Sequence, residues 1–265
     1  MIIESINNQK LKLIRKLAKK KTRHKEGLYI LEGVRLIQHA IDNGVNFKYI
    51  LFSTDVFDVN GGRALVKDIY KKEIDYAQVE DYIFEKVSDT VNTQGVIAVI
   101  EMNSVVDSYK VKDLNDQCLF IDRIQDPGNL GTIIRTADAA GFKDVFISKG
   151  TVDPYNQKVV RATMGSIVNM NIHFVKNSVD TLKKLKDADY KIVVTDLDSN
   201  SSYNEVDYND KSILVVGNEG NGIEKSILGL KDQSVYIPIT GSAESLNVAI
   251  ASGIIMYKMK EVIES

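Results

Sequence analysis

Cysteine is nearly absent from this sequence, and its scarcity excludes two kinds of architecture. The 265 residues contain a single cysteine, Cys118. One thiol excludes an internal disulfide and a zinc site built from several cysteines, and it is typical of proteins in a reducing compartment. Because Cys118 opens the apolar run CLFI, we interpret it as a small core residue.

Long hydrophobic runs are also lacking, and the first residues do not have the pattern of a signal peptide. No apolar run approaches the roughly 18 residues of a membrane-spanning helix. The first residues, MIIESINNQK, do not combine a basic stretch with an apolar one, as a signal peptide does. Hydrophobic residues make up 44% of the chain, which is enough for a core. We therefore expect a soluble, cytoplasmic protein.

Net charge is small, but the positive charge is concentrated near the start. The formal net charge is −2. Residues 1–40 contain ten lysines and arginines against three glutamates, so this part carries about +7 and the rest −9. Such a segment binds a polyanion such as a nucleic acid, or it forms the solvated face of an amphipathic helix. The apolar stripe of that helix would be Leu11, Ile14, Leu17 and Ala18. The two interpretations are compatible.

Two regions of alternating strand and helix patterns follow each other along the chain. In residues 1–102, strand patterns such as YILEG, FKYILFS and GVIAVIE predict a small α/β domain. Residues 103–117 are polar, lack a sustained period and are predicted to be the linker. In residues 118–265, continuous apolar runs such as CLFID, DVFIS and ILVVG predict parallel strands buried on both faces. Ligands of such sheets bind at the carboxyl ends of the strands.

The first of three unusual loops is DPGNLGTIIRTADAAG, which begins at Asp126. Asp126 is the predicted N-cap of a helix, and Pro127 is its predicted first residue. Asn129 would then lie in or just before the first turn. The apolar positions of the helix would face the sheet, so Arg135 would point elsewhere, towards the strand ends. An ordinary surface arginine is the simpler alternative for Arg135 taken alone.

The other two loops are rich in glycine and small polar residues. VVGNEGNGIE, residues 215–224, has three glycines in six residues, which lets the backbone approach a ligand closely. Glu219 would repel a phosphate, so we expect a neutral or cationic ligand there, or an arginine partner. In YIPITGSAESLNVAIASG, Ser245 is the predicted N-cap of a long helix and Asn247 lies in its first turn. A cap with an exposed polar neighbour is the simpler alternative for that pair.

Together, these loops resemble the three ordered motifs of the SpoU (TrmH-like) RNA 2′-O-ribose methyltransferases of the SPOUT superfamily. The matching segments are NxxxxxRTADAAGF, VxGNEGxG and IPITGxxxSLNVAIASGI, within residues 118–265. The first 100 residues, with an SxxN start, a basic helix and YILEGVRLI, resemble the substrate-binding domain of this family. The resemblance covers the whole chain and is strongest to two-domain members that modify ribosomal RNA.

The resemblance implies a fold, a cofactor and an oligomeric state. The C-terminal parallel sheet would be tied as a deep trefoil knot, preceded by a small RNA-binding α/β domain. S-adenosylmethionine would sit in the knot, and the protein would be a homodimer packed through the knotted domain. No metal is implied. The resemblance assigns cofactor binding to these residues: Thr195, Leu197, Gly217, Asn218, Gly222, Ile237 and Leu246.

For catalysis, the resemblance implies that Arg135 is essential. None of the three histidines lies in the three loops. Since a guanidinium does not normally release its proton, we expect Arg135 to bind the phosphate beside the target ribose or to stabilise the developing alkoxide. Glu219 is a candidate to orient Arg135. Three further residues are candidates to position the target nucleotide or neighbouring loops: Asn129, Ser245 and Asn247.

Selection of the RNA is assigned to the N-terminal domain. The predicted phosphate contacts are Lys19, Lys20, Lys21 and Arg23. Arg161, in KVVRATMG, is a further candidate RNA contact. Glu32 and Arg35 of LEGVRL are expected to form a structural pair, with RNA contact as the alternative.

Several alternatives remain open at this point. Ribosomal RNA of the large subunit is the expected substrate, and transfer RNA is the alternative. A dinucleotide-dependent enzyme would need GxGxxG followed by an acidic residue about 20 positions later, which neither GNLGTI nor GNEGNG satisfies. A non-catalytic RNA-binding protein of the same fold is a further alternative, although all three loops carry the polar residues that the family expects.

Overall fold

The computed structural model divides into two compact units. It describes residues 2–90, 92–102, 104–106, 109–208 and 211–264. Unit 1 comprises Met1–Met102 and Asp153–Val168, and unit 2 comprises Asn103–Val152 and Asn169–Ser265. No helix in the described part of the chain is long and apolar enough to span a membrane.

Twelve strands and ten α-helices of the described residues are numbered here in chain order. The strands are β1 Ile2–Ile3, β2 Leu28–Glu32, β3 Phe47–Phe52, β4 Tyr76–Val79, β5 Val96–Glu101, β6 Ser104–Val106, β7 Gln117–Ile121, β8 Asp144–Ile147, β9 Asn171–Phe174, β10 Lys191–Thr195, β11 Ser212–Val216 and β12 Gln233–Val235. The helices are α1 Gln9–Leu17, α2 Lys20–Glu26, α3 Val34–Asp42, α4 Gly62–Lys71, α5 Asp81–Phe84, α6 Pro127–Ala139, α7 Gln157–Ala162, α8 Ser178–Lys186, α9 Lys225–Leu228 and α10 Val248–Glu264.

Unit 1 is built on a five-stranded mixed sheet with the order β1-β4-β3-β5-β2. Strand β5 runs antiparallel to β2 and β3, and the remaining pairs are parallel. The strands predicted from YILEG, FKYILFS and GVIAVIE are all present. Their apolar side chains join those of α1 in a buried cluster.

The basic N-terminal stretch forms two helices rather than the single helix that its apolar spacing predicts. Helix α1 ends at Leu17, and the backbone of Lys19 is extended before α2 begins. Leu11, Ile14 and Leu17 are buried as predicted. Ala18 is exposed, because the chain turns there and leaves the apolar stripe.

The segment Asp153–Val168 packs within unit 1, although the predicted domain limits placed it with residues 118–265. It contains α7, which contacts β2. The rings of Tyr155 and Tyr29 lie 4.6 Å apart, and both are buried. The predicted linker, residues 103–117, includes β6, which the sequence did not predict; residues 103, 107 and 108 lie outside the described residues.

Unit 2 contains a seven-stranded sheet with the order β12-β10-β11-β7-β8-β9-β6. All neighbouring strands in it are parallel, as the continuous apolar runs predict. One face packs against α8 and α9 through a cluster that includes Cys118, which is fully buried as predicted. Helices α6 and α10 pack together on the sheet.

Four segments of the chain meet at one end of this sheet: the loops after β10, β11 and β12 and the start of α6. Strand β12 lies at the sheet edge, but α10, the next helix, contacts α6 and β11. The chain therefore returns from the edge towards the middle along the carboxyl ends of the strands. The loops that follow β10, β11 and β12 meet there with the start of α6, as expected for ligand sites in parallel sheets.

Candidate active site

A cleft of about 690 Å³ opens at the carboxyl ends of the strands in unit 2. This volume lies within the roughly 300–1,000 Å³ typical of small-molecule sites. All the predicted cofactor-binding residues line it: Thr195, Leu197, Gly217, Asn218, Gly222, Ile237 and Leu246. Four of the five predicted catalytic residues line it as well: Asn129, Glu219, Ser245 and Asn247.

A chain of hydrogen bonds joins one side chain from each of the three loops. Asn129 donates through its Nδ2 to Oε1 of Glu219 at 3.0 Å. Asn247 donates through its Nδ2 to Oδ1 of Asn129 at 2.9 Å. Asp126 caps α6, as predicted, by accepting a hydrogen bond from the backbone nitrogen of Asn129 at 2.7 Å. The amide of Asn129 therefore connects loops that are about 90 and 118 residues away in sequence.

The glycines of the second loop are needed by the loop itself. Asn218 and Gly222 exchange two backbone hydrogen bonds, of 3.1 and 3.0 Å. Gly222 has φ = 61°, a left-handed conformation that favours glycine. A Cβ on Gly217 would lie 2.6 Å from the carbonyl carbon of Gly222 and from the nitrogen of Ile223. Gly217 therefore allows a close approach between two parts of the loop backbone, and the predicted close approach of backbone to a ligand stays a prediction.

The N-cap of α10 is Asn247, not Ser245 as predicted. Helix α10 begins at Val248. The Oδ1 of Asn247 accepts hydrogen bonds from the backbone nitrogens of Ala249 at 2.9 Å and Ile250 at 3.4 Å. Asparagine caps helices as well as serine does, so local sequence does not distinguish the two. Ser245 lines the cleft, and its hydroxyl makes no hydrogen bond to another described residue.

Arg135 lies on the exposed face of α6, in the third turn after Asp126. Its guanidinium makes no hydrogen bond or ion pair with any residue that the structure describes, and it is not among the described residues that line the cleft. The expected orientation of Arg135 by Glu219 is therefore wrong for this state. Glu219 accepts from Asn129 and, at 3.4 Å, from Asn218 instead.

The lining of the cleft is acidic. Asp196, Asp198 and Glu219 contribute carboxylates, and the described lining residues include no lysine or arginine. Asp196 forms a salt bridge of 3.3 Å with Lys231. Carboxylates favour a cationic ligand and disfavour a phosphate-rich one. The apolar side chains of Leu197, Ile237 and Leu246 supply surface for an uncharged ring system.

Comparison with known proteins identifies the family. Residues 116–257 match the family model described as SpoU rRNA Methylase family, and residues 8–98 match the one described as MRM3-like substrate binding domain. The chain belongs to the SpoU rRNA methylase family. The prediction made from the three motifs is confirmed.

Full-length relatives of this SpoU-family protein are also known. The 23S rRNA (guanosine(2553)-2′-O)-methyltransferase RlmP of Bacillus subtilis is 35% identical over 261 residues, which cover 97% of this chain and 98% of that protein. The AdoMet-bound rRNA methyltransferase of Sinorhizobium meliloti is 30% identical, with a TM-score of 0.84 and coverage of 100% and 99%. The SpoU methyltransferase AviRb of Streptomyces viridochromogenes, in complex with AdoMet, has 25% identity, a TM-score of 0.83 and coverage of 97% and 100%.

The residues present in this SpoU-family chain fit S-adenosylmethionine, the cofactor of the family. Its sulfonium and ammonium groups are cationic, and the cleft presents three carboxylates without a cationic side chain among the described lining residues. In the described part of the chain, no group of three or more histidine, cysteine or carboxylate side chains is placed to hold a metal ion.

The predicted RNA contacts of unit 1 divide into two groups. Lys19, Lys20 and Lys21 are exposed where α1 gives way to α2. The prediction that Arg23 contacts phosphate is wrong, because only 4% of its surface is exposed. It forms an ion pair with Asp153 and donates to the carbonyls of Leu17 and Ala18 at 2.8 and 2.9 Å. Arg23 therefore fixes the junction of the two helices and is not free to bind phosphate.

Two further residues of unit 1, Arg161 and Glu32, have partners that the sequence did not predict. Arg161 forms a salt bridge of 3.0 Å with Asp89, in which both side chains are partly exposed. Glu32 does not pair with Arg35 in the described residues. It accepts hydrogen bonds from the hydroxyls of Ser88 and Thr90 and so orders the loop after α5. These partners lie more than 50 residues away in sequence, so the local motif LEGVRL does not reveal them.

Proposed function

We propose that this protein transfers a methyl group from S-adenosylmethionine to a ribose 2′-hydroxyl in 23S ribosomal RNA. The observation that carries the proposal is the cleft in which Asn129, Glu219 and Asn247 join the three family motifs beside an acidic, partly apolar lining. RlmP, which resembles this chain along its whole length, is named for the same reaction on 23S rRNA.

The cleft supplies cofactor binding and orientation. When bound, S-adenosylmethionine supplies an electrophilic methyl group on a sulfonium. Leu197, Ile237 and Leu246 would provide apolar walls for its adenosyl part, and the carboxylates of Asp196 and Glu219 would favour its positive charge. The hydrogen-bonded chain through Asn129 keeps the three loops at a fixed separation, so the substrate meets a preorganised site.

Arg135 is proposed to act on the RNA. The guanidinium of Arg135 is exposed and has no partner among the described residues. It can therefore bind the substrate without first breaking a contact within the protein. It binds the phosphate next to the target ribose, or it stabilises the negative charge that develops on the 2′ oxygen. Ser245 lines the cleft and its hydroxyl makes no hydrogen bond to another described residue, which supports a contact with the target nucleotide there.

RNA selection is proposed to rest on residues 1–102, with Lys19, Lys20 and Lys21 as phosphate contacts. Arg161, in the segment Asp153–Val168 that packs within the same unit, is a further candidate contact. The exposed lysines fit this role because phosphate contacts supply affinity through charge. Since Arg161 is partly exposed, its salt bridge to Asp89 costs little to exchange for a phosphate. The protein would then work where ribosomal RNA is found, in the cytoplasm.

A trefoil knot and a homodimer complete the proposal. The return of the chain from β12 at the sheet edge to α10 against β11 supports a knotted C-terminal domain. Two large hydrophobic residues of α10 are exposed to solvent: Ile250, with 56% of its surface exposed, and Tyr257, with 53%. These residues are seven positions apart and therefore lie on one face of the helix, which supports packing against a second copy.

Mapping of 2′-O-methyl groups in RNA from cells with and without the gene tests the proposal. Loss of one ribose methylation in 23S rRNA, restored by the wild-type gene, is the expected result. Loss confined to a transfer RNA would overturn the choice of substrate. Unchanged methylation in all RNA, with RNA binding by the purified protein, would favour a non-catalytic RNA-binding protein.

A further inference from the structure

The backbone corner at Asp122 and Arg123, just after β7, is strained and held in place. Arg123 has φ = 58°, a left-handed conformation that is uncommon and strained for a residue other than glycine. Its backbone nitrogen donates to the hydroxyls of Ser148 and Thr151, both at 3.0 Å. Strained residues of this kind persist where the surroundings over-determine them, and they cluster at functional sites.

The carboxylate of Asp122 is buried at this corner and uses all of its accepting capacity. It is 1% exposed. It accepts from the guanidinium of Arg123 at 2.9–3.2 Å and from the hydroxyl of Ser148 at 3.2 Å. It also accepts from the backbone nitrogen of Glu224 at 2.9 Å. Asp122 thereby ties β7 to the far end of the second loop.

Arg123 binds the same loop at two further points. Its Nη2 donates to the carbonyl of Gly222 at 3.1 Å, and its own carbonyl accepts from Nδ2 of Asn218 at 2.8 Å. With the hydrogen bond from Glu224 to Asp122, the corner thus holds the loop at its beginning, middle and end. Neither Asp122 nor Arg123 lies within the three motif segments quoted above.

Within the loop, Asn218 and Gly222 exchange backbone hydrogen bonds and Asn218 Oδ1 accepts from Gly220 and Asn221, but few buried apolar contacts hold the loop to the rest of unit 2. Residues 219–222 are exposed, and the buried positions are those at its ends, Gly217 and Ile223. Segments with few buried apolar contacts belong to the low-stability part of a protein and open readily. Yet this loop supplies Gly217, Asn218 and Gly222 to the cleft.

We propose that Asp122 and Arg123 form a latch that holds the loop 217–224 in its cofactor-binding shape. The inference rests on the proposed function, since it concerns the affinity of the same cleft for S-adenosylmethionine. Both residues are positioning residues, because they contact the loop rather than the cleft. If release of the latch leaves about one tenth of the molecules with a competent loop, cofactor affinity falls about tenfold.

Arg123→Gly is the sharpest test, because glycine keeps the left-handed backbone without strain and removes the guanidinium. We expect the full-length variant to bind S-adenosylmethionine about tenfold more weakly by calorimetry. Its KM for the cofactor should rise by a similar factor, while kcat at saturating cofactor stays near that of wild type. Arg123→Lys keeps the charge beside Asp122 without the forked geometry and should recover part of the affinity.

Lys149→Ala is the matched control, since Lys149 is exposed next to Ser148 and its side chain makes no hydrogen bond or ion pair with another described residue. It should bind the cofactor as wild type does. A folded Arg123→Gly protein with wild-type affinity and KM would overturn the latch. So would a fall in kcat at unchanged KM. Failure of the wild-type protein itself to bind the cofactor would instead count against the proposed function.

Discussion

Among single residues, Arg23 and Arg135 carry the same charge in opposite surroundings. The side chain of Arg23 is 5% exposed and is paired with Asp153, whose side chain is 4% exposed. Arg135 is exposed and has no partner in the described part of the chain. A guanidinium committed to a buried pair serves the fold, whereas an uncommitted one is available to an anionic substrate.

Removal of either partner of the Arg23–Asp153 pair should destabilise unit 1 strongly. Arg23→Ala leaves the buried carboxylate of Asp153 with only the His24 ring, at 3.4 Å, as an ion-pair partner among the described residues, and Asp153→Ala leaves the buried guanidinium without a carboxylate. Breaking a buried pair in this way typically costs about 3–5 kcal/mol. The double variant Arg23→Met with Asp153→Leu should recover much of that loss, because it leaves no charge behind. Urea unfolding of the full chain measures these differences.

Arg35→Ala is the control for this comparison, since Arg35 is exposed and should change stability by no more than about 0.5 kcal/mol. If the two single variants unfolded like this control, the ion pair would not have the structural role that its burial indicates.

Among the elements, the starts of β8 and β9 share a buried polar cluster. Asp144 is 1% exposed and accepts a hydrogen bond from Nε2 of His173 at 2.8 Å. It also accepts from Asn115 and Asn171. Burial acts to raise the pKa of Asp144, but the hydrogen bonds from His173, Asn115 and Asn171 together outweigh it, so the pKa is lowered.

The lowered pKa of Asp144 predicts a loss of stability in acid. Its contribution is present above the unfolded-state pKa of about 4 and is lost as the pH falls below that value towards the lower pKa of the folded state. The stability difference between wild type and Asp144→Asn should therefore shrink between about pH 5 and pH 3. Urea midpoints measured across this range provide the test. A difference that stayed constant or grew on acidification would contradict the assignment.

The junction of α1 and α2 is the element to which we assign phosphate binding. Lys20→Glu with Lys21→Glu should weaken RNA binding and make the slope of log K against log salt shallower by about 0.7–0.9 for each phosphate that the protein no longer neutralises. Lys183→Glu with Lys184→Glu, on the exposed face of α8, makes the same change in charge elsewhere. Filter binding at several salt concentrations measures the RNA affinity of both double variants and should show a larger loss for Lys20→Glu with Lys21→Glu. Equal losses of affinity in both variants would indicate an effect of net charge alone.

Most elements could be predicted from the sequence because their signals are local. Continuous apolar runs identified the parallel strands of unit 2, and the Asp126–Pro127 pair identified the start of α6. The break between α1 and α2 was missed because the apolar spacing continues through it to Ala18. Strand β6 was missed because its residues are few and lie in a polar stretch.

The candidate site was predicted from the motifs, but its internal contacts were not. Most of the predicted residues that line the cleft could be named because the family motifs contain them, and Thr195 and Leu197 because the resemblance extends to the segment after KIVV. The contacts of Glu219 with Asn129, of Glu32 with Thr90 and of Arg23 with Asp153 could not, because these partners lie more than 50 residues apart in sequence and periodicity reports only on near neighbours. The packing of Asp153–Val168 within unit 1 was not predicted for the same reason, since it depends on contacts between residues far apart in sequence.

For the whole molecule, the exposed apolar face of α10 predicts a dimer. Ile250→Asp with Tyr257→Asp places two charges on this face, and burying them without partners would be unfavourable. Sedimentation should show a dimer for wild type and a monomer for this variant. The variant Lys183→Glu with Lys184→Glu should remain a dimer, as wild type does. A variant of α10 that still sedimented as a dimer would exclude this face as the interface.

Transfer of tritium from labelled S-adenosylmethionine to 23S rRNA, by wild type and by Arg135→Ala, tests the central claim most directly. Wild type should place the label on ribose. Arg135→Ala should lose about 100-fold or more in rate, as when a group that stabilises developing charge is removed, and keep its affinity for the cofactor. Absence of labelling by wild type, or labelling by the variant at the wild-type rate, would contradict the account.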